Sequence, residues 1–236
     1  MPFSRSYLFK QRDYRLKLGI HDLEGLCVSL VGKWCQLMLS DSKDKWSNPN
    51  SSAEKRFGNF FQKDTYQTIA QEQRVSFARL TRMGTATQGL EMMVEVAKIM
   101  RERVDVMERQ PLIDAAIETD AELKVRGDTI PRQVLSKFGC SNVSQPTTVI
   151  WSNLATGFET KHCYAIIFVT QSGQSKGQHA IGVYMSGGFF NYDYHIFDPN
   201  CGEYKATDAA SAQRFLDRLS TTYGNPREAR VFRMQL

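Results

Sequence analysis

The order of helical and strand patterns along the chain predicts an α+β fold, with an N-terminal helical part followed by an antiparallel sheet. Apolar residues recur every three or four positions in residues 26–39 and again in 90–107, which indicates amphipathic helices. From Pro131 onward, short runs of β-branched and aromatic residues bounded by turn residues indicate strands. Because no internal repeat or low-complexity linker divides the 236 residues, we expect one domain spanning residues 1–236.

The composition excludes several classes of protein. Hydrophobic residues make up 42% of the chain and charged residues 23%, as in ordinary globular domains. No apolar run is long enough to span a bilayer, so stable membrane insertion is not expected. The net charge of +5 is mixed along the chain rather than collected in a block, and we expect no nucleic-acid partner. The first residues lack the apolar core of a secretory signal peptide, so any secretion uses a signal-peptide-independent route.

The cysteine content predicts neither a disulfide framework nor a metal site. The chain contains five cysteines: Cys27, Cys35, Cys140, Cys163 and Cys201. Their number is odd and no C-x-x-C pair occurs, which favours a reducing compartment. The close pair of His162 and Cys163 lies in a predicted strand, where neighbouring side chains point to opposite faces and do not easily share a metal ion. We therefore expect no metal and no cofactor.

The first predicted helix carries a cysteine at its N-terminus. Residues 1–20 are basic and polar, and indicate an N-terminal arm or a strand laid on the body of the protein. The helical stripe then covers residues 26–39, with Gly25 just before it and Cys27 in its first turn. The N–H groups and the positive dipole end of a helix N-terminus favour a thiolate. Cys27 is thus the cysteine whose position predicts reactivity.

The remaining elements follow from the same patterns. Residues 40–56 are polar and rich in turn formers, which predicts a surface loop. Helices are predicted over 59–82, 90–107 and 112–125, so that the range of about 45–130 is a helical insert. The elements predicted beyond Pro131 are a short helix at 132–138, strands at 147–151, 162–170, 179–185, 192–197 and 229–234, and a helix at 206–223.

A histidine and an aspartate stand at the two ends of one predicted hairpin. His179 opens the first strand, and Asp198 closes the second strand, where Pro199 stops the ladder. The two ends lie side by side, so the carboxylate can accept a hydrogen bond from one ring nitrogen and leave the other free as a base. Asp193 and His195 form a competing pair on the second strand, which we rank lower because they stand mid-strand. His195 is expected to be structural.

Three blocks of residues occur in a characteristic order along the chain. They are Gly25-x-Cys27-x-x-Leu30 with a Trp at 34, His179-Ala-Ile181, and Phe197-Asp-Pro-Asn-x-Gly-Glu203. A strand that ends in F-D-P-N-x-G-E is rarely met by chance, whereas the first two blocks are weak alone. Together the blocks resemble the YopT/AvrPphB-type cysteine proteases, effectors that pathogenic bacteria inject into host cells. The resemblance covers a small part of the chain and implies a papain-like cysteine protease fold.

The resemblance implies a role for each residue of the motif. Cys27 matches the nucleophile, His179 the general base and later acid, and Asp198 the group that orients the imidazole. The backbone N–H of Cys27 is the expected first donor to the oxyanion. Papain-like enzymes more often carry Gln or Asn at the second donor, where this chain has His21 and Asp22. We assign the second donor to His21, because a deprotonated Asp22 would repel an oxyanion.

The resemblance also implies a substrate and a place of action. An effector of this type acts as a cysteine endopeptidase on a host protein in the host cell cytoplasm, and a secretion chaperone is a further expected partner. The segment between Cys27 and His179 is longer than the compact core of the family. We expect the insert of about 45–130 to hold the excess and to recognise the substrate.

Other interpretations of the same residues remain open. The same acyl-enzyme can also come from the side-chain amide of a glutamine, which would make the protein a deamidase or transglutaminase. A module that binds a host protein without turnover is an alternative of a different class, against which the intact Cys/His/Asp set argues. Away from Cys27, cysteines in apolar surroundings are usually core residues. We expect this of Cys35, Cys140 and Cys163, and we expect Cys201 to be an incidental neighbour of the site.

Overall fold

The computed structural model describes residues 3–17, 26–42, 52–62, 64–65, 67–71, 131–138, 142–172, 175–187 and 192–235. The helices are α1 (Gln11–Lys17), α2 (Cys27–Ser42), α3 (Ala53–Phe60) and α4 (Ala209–Thr222), with a 3₁₀ helix at Trp151–Gly157 and further helical residues at 67–71 and 131–136. The strands are β1 (Phe3–Tyr7), β2 (Asn142–Val143), β3 (Thr147–Ile150), β4 (Cys163–Ser172), β5 (Ser175–Met185), β6 (Tyr194–Asp198), β7 (Gly202–Ala206) and β8 (Glu228–Gln235). None of the helices within these ranges is long and apolar enough to cross a membrane.

The described strands form one antiparallel sheet. Their order is β1-β7-β6-β5-β4-β8-β2, and β3 also pairs with β8. The long hairpin of β4 and β5 lies at the centre, and β5 pairs on its other side with β6 in a register that sets Gly182 opposite Phe197. The predicted hairpin that contains His179 and Asp198 is therefore confirmed, as the β5–β6 pair.

Alternate side chains of the central strands pack in two separate apolar cores, one on each face of the sheet. Successive side chains of a strand point to opposite faces of the sheet. Ala165 and Ile167 of β4 pack in the core that also contains the apolar stripe of α2. Ile166 and Phe168 of the same strand pack in the core that contains Phe215 and other apolar residues of α4. The sheet is thus covered on one face by α2 and on the other by α4, and the predicted stripe of α2 is confirmed.

A glycine allows α2 to approach the sheet closely. A Cβ atom built on Gly182 of β5 would lie 2.7 Å from the ring of Trp34 in α2, a separation that real Cβ atoms do not show. Only a residue without a side chain fits here. The contact sets the height of α2 above β5, and therefore the position of the helix start at Cys27.

A buried polar cluster joins α2, α3 and β7. The fully buried carboxylate of Glu203 accepts hydrogen bonds from Arg56 Nη2 at 2.5 Å and from Trp34 Nε1 at 2.8 Å. Arg56 Nη1 also lies 3.9 Å from Asp41 Oδ2. His195 Nδ1 is 3.7 Å from Glu203 Oε1, which is beyond hydrogen-bond distance. A carboxylate so far from water needs paired charge and donors, and here they come from two helices.

The structure corrects the boundaries predicted around this cluster. The predicted surface loop of 40–56 is wrong at its end, because α3 begins at Ala53, with the Ser52 side chain accepting from the Lys55 N–H. The predicted helix of 59–82 is wrong at its start, because α3 ends at Phe60. Arg56 makes the segment polar in sequence, yet its charge is buried against Glu203.

In the second half of the chain, the observed ends of helices and strands differ from the predicted ones by only a few residues. Trp151 belongs to the 3₁₀ helix rather than to the strand before it. The helix predicted to start at Ala206 starts three residues later, because Ala206 is the last residue of β7. Asp208 caps α4, since its carboxylate accepts from the Ser211 N–H at 2.7 Å. The short elements α1, β2 and β7 are not predicted, because each has too few residues to show a helical or alternating pattern of apolar residues.

The described residues belong to one compact unit, apart from Pro131. This unit comprises Met1–Gln73 and Arg132–Leu236, while Arg74–Pro131 is a second unit. Most of the insert of about 45–130 lies outside the described residues. The single-domain organisation and the role of the insert therefore stay predictions.

Candidate active site

Cys27 stands at the end of α2 that faces the sheet strands β5 and β6. It is the first residue of the helix, and its side chain is 4% exposed. The first turn closes with the Leu30 N–H donating to the Leu26 carbonyl at 2.9 Å, so the Cys27 N–H belongs to the donors at the helix end. The thiol of Cys27 is close enough to the imidazole of His179 to contribute to the raised pKa of that ring.

His179 lies in β5 and is almost completely buried. In the β5–β6 register Asp198 falls one residue beyond Phe197, so His179 reaches it diagonally on the same face of the sheet. The prediction that His179 opens its strand is wrong, because β5 begins at Ser175 and continues the hairpin with β4. Phe168 of β4 lies opposite His179 and packs its ring edge-on, at 5.7 Å between centroids.

Asp198 ends β6, and its side chain is fully buried. Its Oδ1 accepts from His179 Nε2 at 3.0 Å and from the Asn200 backbone N–H at 2.8 Å. Its Oδ2 accepts from the Tyr223 hydroxyl at 2.8 Å. The bond to Asn200 is the Asx-type turn that the D-P-N sequence indicates. With Nε2 directed at Asp198, Nδ1 is the ring nitrogen that remains for the thiol of Cys27.

Opposing influences act on the charge of His179. Burial, the largest of them, lowers the pKa of the imidazole, whereas the hydrogen bonds to Asp198 and Cys27 and the negative charges of these groups raise it. The net result is a pKa raised to about 9. The imidazole is therefore protonated at neutral pH, and an imidazolium is the partner that a thiolate at Cys27 requires.

We expect the free energy of unfolding to fall as the pH rises from about 6.5, the ordinary pKa of histidine, to about 9, the pKa of His179. A pKa that is higher in the folded than in the unfolded state stabilises the protein fully below this interval. The stabilisation is lost as the imidazolium gives up its proton, and it amounts to at most about 3–4 kcal/mol at about 1.4 kcal/mol per pKa unit. Urea unfolding at a series of pH values measures it.

Two variants control this measurement. In His179→Gln the loss of stability between neutral and alkaline pH should be much reduced. In His162→Gln it should persist, because His162 lies outside the site and its Nδ1 contacts the Thr160 carbonyl at 2.9 Å. A slope that is the same in His179→Gln as in the wild type would show that His179 is not the titrating group.

The competing pair of Asp193 and His195 is not assembled. The carboxylate of Asp193, which precedes β6, pairs with Lys205 Nζ at 2.8 Å. His195 lies within β6 and is 6% exposed. Neither ring nitrogen makes a hydrogen bond, and the carboxylate near it is that of Glu203. The expectation that His195 is structural agrees with its place beside the buried cluster.

The other described cysteines are placed for packing rather than reaction. Burial, reinforced by the charge of Asp198, raises the pKa of the Cys201 thiol to about 12, which keeps it protonated and unreactive. Cys35 and Cys163 are fully buried in the core beneath α2, as predicted, and the Cys163 thiol points at the Cys35 carbonyl, 3.7 Å away. Cys140 lies outside the described residues.

The second oxyanion donor stays a prediction. His21, Asp22 and Gly25 lie outside the described residues, and the assignment of His21 to the oxyanion rests on the sequence alone. Within the described ranges no group of three or more His, Cys, Asp or Glu side chains is arranged to hold a metal ion.

Tyr223 belongs to the site, although the sequence analysis does not single it out. It follows α4, 25 residues after Asp198, and its ring stacks on the imidazole of His179. The Tyr-Gly-Asn order at 223–225 is typical of a helix C-terminus. That signal predicts where α4 ends, but not that the end of the helix meets the end of β6.

Comparisons with protein-family models and with curated protein sequences find no match. Among solved structures the chain is similar to the Pseudomonas avirulence protein AvrPphB, with a TM-score of 0.51 and 16% sequence identity over 89% of this chain and 92% of that one. A second similar structure is PatoxP, a cysteine protease-like domain of the Photorhabdus asymbiotica toxin PaTox. Its TM-score is 0.32 and its identity 12%, over 99% of this chain and 93% of that one.

The likeness to AvrPphB is a likeness of fold. It extends over most of both chains at low sequence identity. The observed order of elements, α1 to α3 before the central strands, agrees with the predicted α+β class. The resemblance indicated by the three sequence blocks is thereby confirmed at the level of the fold, and the chain has an α+β fold similar to that of AvrPphB.

Proposed function

We propose that the protein is a cysteine endopeptidase of the injected bacterial effector type, which cleaves a host protein in the host cell cytoplasm. The observation that carries the proposal is the hydrogen bond between His179 and Asp198, together with the thiol of Cys27 that contributes to the raised pKa of the same imidazole. The fold shared with an avirulence protein supports the effector type. Export without a signal peptide and a secretion chaperone as a partner are parts of the same proposal.

The three side chains suit acyl transfer through a thioester. The imidazolium of His179 stabilises the thiolate of Cys27, which attacks the scissile carbonyl carbon and forms a C–S bond. Negative charge then develops on the carbonyl oxygen, and the Cys27 backbone N–H at the helix end is a donor for it. His179 gives its proton to the leaving amine as the C–N bond breaks, and the acyl group remains on sulfur.

Water completes the cycle. The neutral imidazole of His179 takes a proton from a water molecule that attacks the thioester carbonyl. The C–S bond breaks, the carboxylic acid is released, and the thiolate–imidazolium pair is restored. Asp198 accepts the hydrogen bond from Nε2 throughout, so Nδ1 keeps facing the sulfur and the carbonyl carbon.

The test is a search for Cys27-dependent cleavage of host proteins. Host-cell lysate is incubated with the wild type or with Cys27→Ala, and newly formed protein N-termini are identified by mass spectrometry. We expect new termini with the wild type and none with Cys27→Ala. Cys201→Ala should give the same termini as the wild type, because burial and the charge of Asp198 keep its thiol protonated.

Other outcomes would replace the proposal. A mass gain of about one dalton at glutamine, without new termini, would identify a deamidase, because attack on a side-chain amide releases ammonia. Cross-linked glutamine would identify a transglutaminase. A host protein that is retained equally by the wild type and by Cys27→Ala, with no covalent change, would identify a binding module.

A further inference from the structure

The ring of Tyr223 covers one face of the imidazole of His179. The two rings stack with their centroids 4.5 Å apart and their planes 28° from parallel. Phe168 closes a second side, with its ring edge-on to Tyr223 at 5.5 Å and to His179 at 5.7 Å. The imidazole is thus held between two aromatic rings. The face of an aromatic ring also attracts a cation, which favours the protonated imidazole.

The hydroxyl of Tyr223 holds the carboxylate that orients this imidazole. It donates to Asp198 Oδ2 at 2.8 Å and accepts from Asn200 Nδ2 at 3.1 Å. Since His179 Nε2 and the Asn200 N–H use Oδ1, the two oxygens of Asp198 have separate donors. A carboxylate bonded through both oxygens is fixed in rotation, and Oδ1 therefore stays directed at Nε2.

The backbone around Tyr223 is built to keep the side chain in this place. The Tyr223 carbonyl accepts from the Gln171 N–H of β4 at 3.1 Å. Gly224 follows with φ of 82°, and a Cβ there would lie 2.4 Å from the Gln171 carbonyl oxygen. The Asn225 N–H returns to the Ser220 carbonyl at 2.8 Å and closes the end of α4. The residue is therefore attached both to α4 and to the strand beside β5.

We propose that Tyr223 is a positioning residue of the site, which orients Asp198 through its hydroxyl and the imidazole of His179 through its ring. The inference rests on the proposed function, since it assigns Tyr223 to the same thiolate–imidazolium pair. Each half of the side chain has its own task, because the hydroxyl and the ring contact different groups. Loss of the hydroxyl frees Asp198 to rotate, and loss of the ring also frees the imidazole to turn away from Cys27.

The titratable groups around the imidazole are few within the described residues. They are the Cys27 thiol from α2, the Asp198 carboxylate from β6, the Cys201 thiol from the turn after β6, and the Tyr223 phenol after α4. Burial and the charge of Asp198 raise the pKa of Tyr223, so its hydroxyl remains a donor over the working pH range. The pH dependence of Cys27 reactivity therefore reports on the pair and its orientation.

The test measures the alkylation of Cys27 by iodoacetamide as a function of pH, with mass spectrometry to assign the modified cysteine. In the wild type we expect alkylation of Cys27 at about pH 6 to exceed that of Cys201 at least tenfold, because a thiolate is the reactive form. Tyr223→Phe should slow alkylation of Cys27 at this pH about threefold to tenfold, and Tyr223→Leu more strongly.

A matched control removes a hydroxyl elsewhere. Tyr164 is a buried tyrosine of β4 whose hydroxyl accepts from the Glu159 N–H at 2.8 Å, and Tyr164→Phe should leave the alkylation profile unchanged. The downfield proton resonance of the His179 Nε2–H gives a second readout. It should be sharp in the wild type and in Tyr164→Phe, and broadened by exchange in Tyr223→Phe.

The outcomes separate this inference from the proposed function. If the wild type alkylates Cys27 no faster than Cys201 at about pH 6, the thiolate–imidazolium pair does not exist and the proposed function fails. If the pair is present but Tyr223→Phe leaves both the profile and the resonance unchanged, the positioning role fails alone. A variant that only melts at a lower temperature, with both readouts unchanged, would show a merely structural tyrosine.

Discussion

Replacing Asp198 with alanine is expected to lower kcat by about 10³- to 10⁴-fold, as when the carboxylate that orients a catalytic histidine is lost. The reason is geometric. Alanine leaves the Nε2–H of His179 without its acceptor in a site where Asp198 is fully buried. The ring can then turn or change its tautomer, and Nδ1 no longer faces Cys27. KM should change little, because the buried carboxylate of Asp198 is occupied by His179, Asn200 and Tyr223.

Single-turnover cleavage of the host substrate, identified by its Cys27-dependent termini, measures this effect. Asp198→Asn keeps an acceptor oxygen for Nε2 and should lose less activity than Asp198→Ala. Asp193→Ala removes a carboxylate that pairs with Lys205 instead of the imidazole, and should act as the wild type does. Circular dichroism checks that each variant is folded. A folded Asp198→Ala with nearly wild-type kcat would remove Asp198 from the proposed triad.

Replacing Arg56 with alanine is expected to lower the free energy of unfolding by about 3–5 kcal/mol, as when one partner of a buried ion pair is removed. Glu203 is then left as a buried carboxylate with Trp34 Nε1 as its remaining donor in the cluster. Burial acts to raise the pKa of Glu203, but His195, Arg56 and Trp34 outweigh it and hold the pKa below its ordinary value. The stabilisation is present above that ordinary value and is lost as the pH falls.

Urea unfolding at neutral pH measures this loss, and Lys55→Ala is its control. Lys55 precedes Arg56 in the same helix but is exposed, and its replacement should change the stability by less than about 0.5 kcal/mol. Replacing Arg56 and Glu203 together by methionine and leucine should recover much of the loss, because no buried charge then remains. Equal effects of Arg56→Ala and Lys55→Ala would contradict a buried ion pair.

Local sequence patterns predict those parts of the fold that are determined by residues close together in the sequence. The apolar stripe of α2 predicts both the helix and the end at which Cys27 stands. Alternation and turn residues predict the β5–β6 hairpin that carries His179 and Asp198. The roles of these three residues are implied by the family resemblance, and the structure adds the hydrogen bond between His179 and Asp198.

The remaining parts of the site depend on contacts that no local pattern encodes. Arg56 stands in a polar segment that looks like a surface loop, because its partner Glu203 lies 147 residues further along the chain. Tyr223 looks like an ordinary helix end, because Asp198 and His179 are brought to it only by the folded sheet. β7 is short and is stabilised as a strand by β6 and β1 on its two sides.

The separation of these contacts along the chain has a consequence for when the site is assembled. Trp34 meets Glu203 across 169 residues, and Arg5 meets Tyr204 across 199. Closing such long loops costs conformational entropy, so contacts of this kind form late in folding. Before the strands and α2 come together, Cys27 has no imidazole beside it. The reactivity proposed for Cys27 therefore depends on completed folding, and an unfolded chain should lack it.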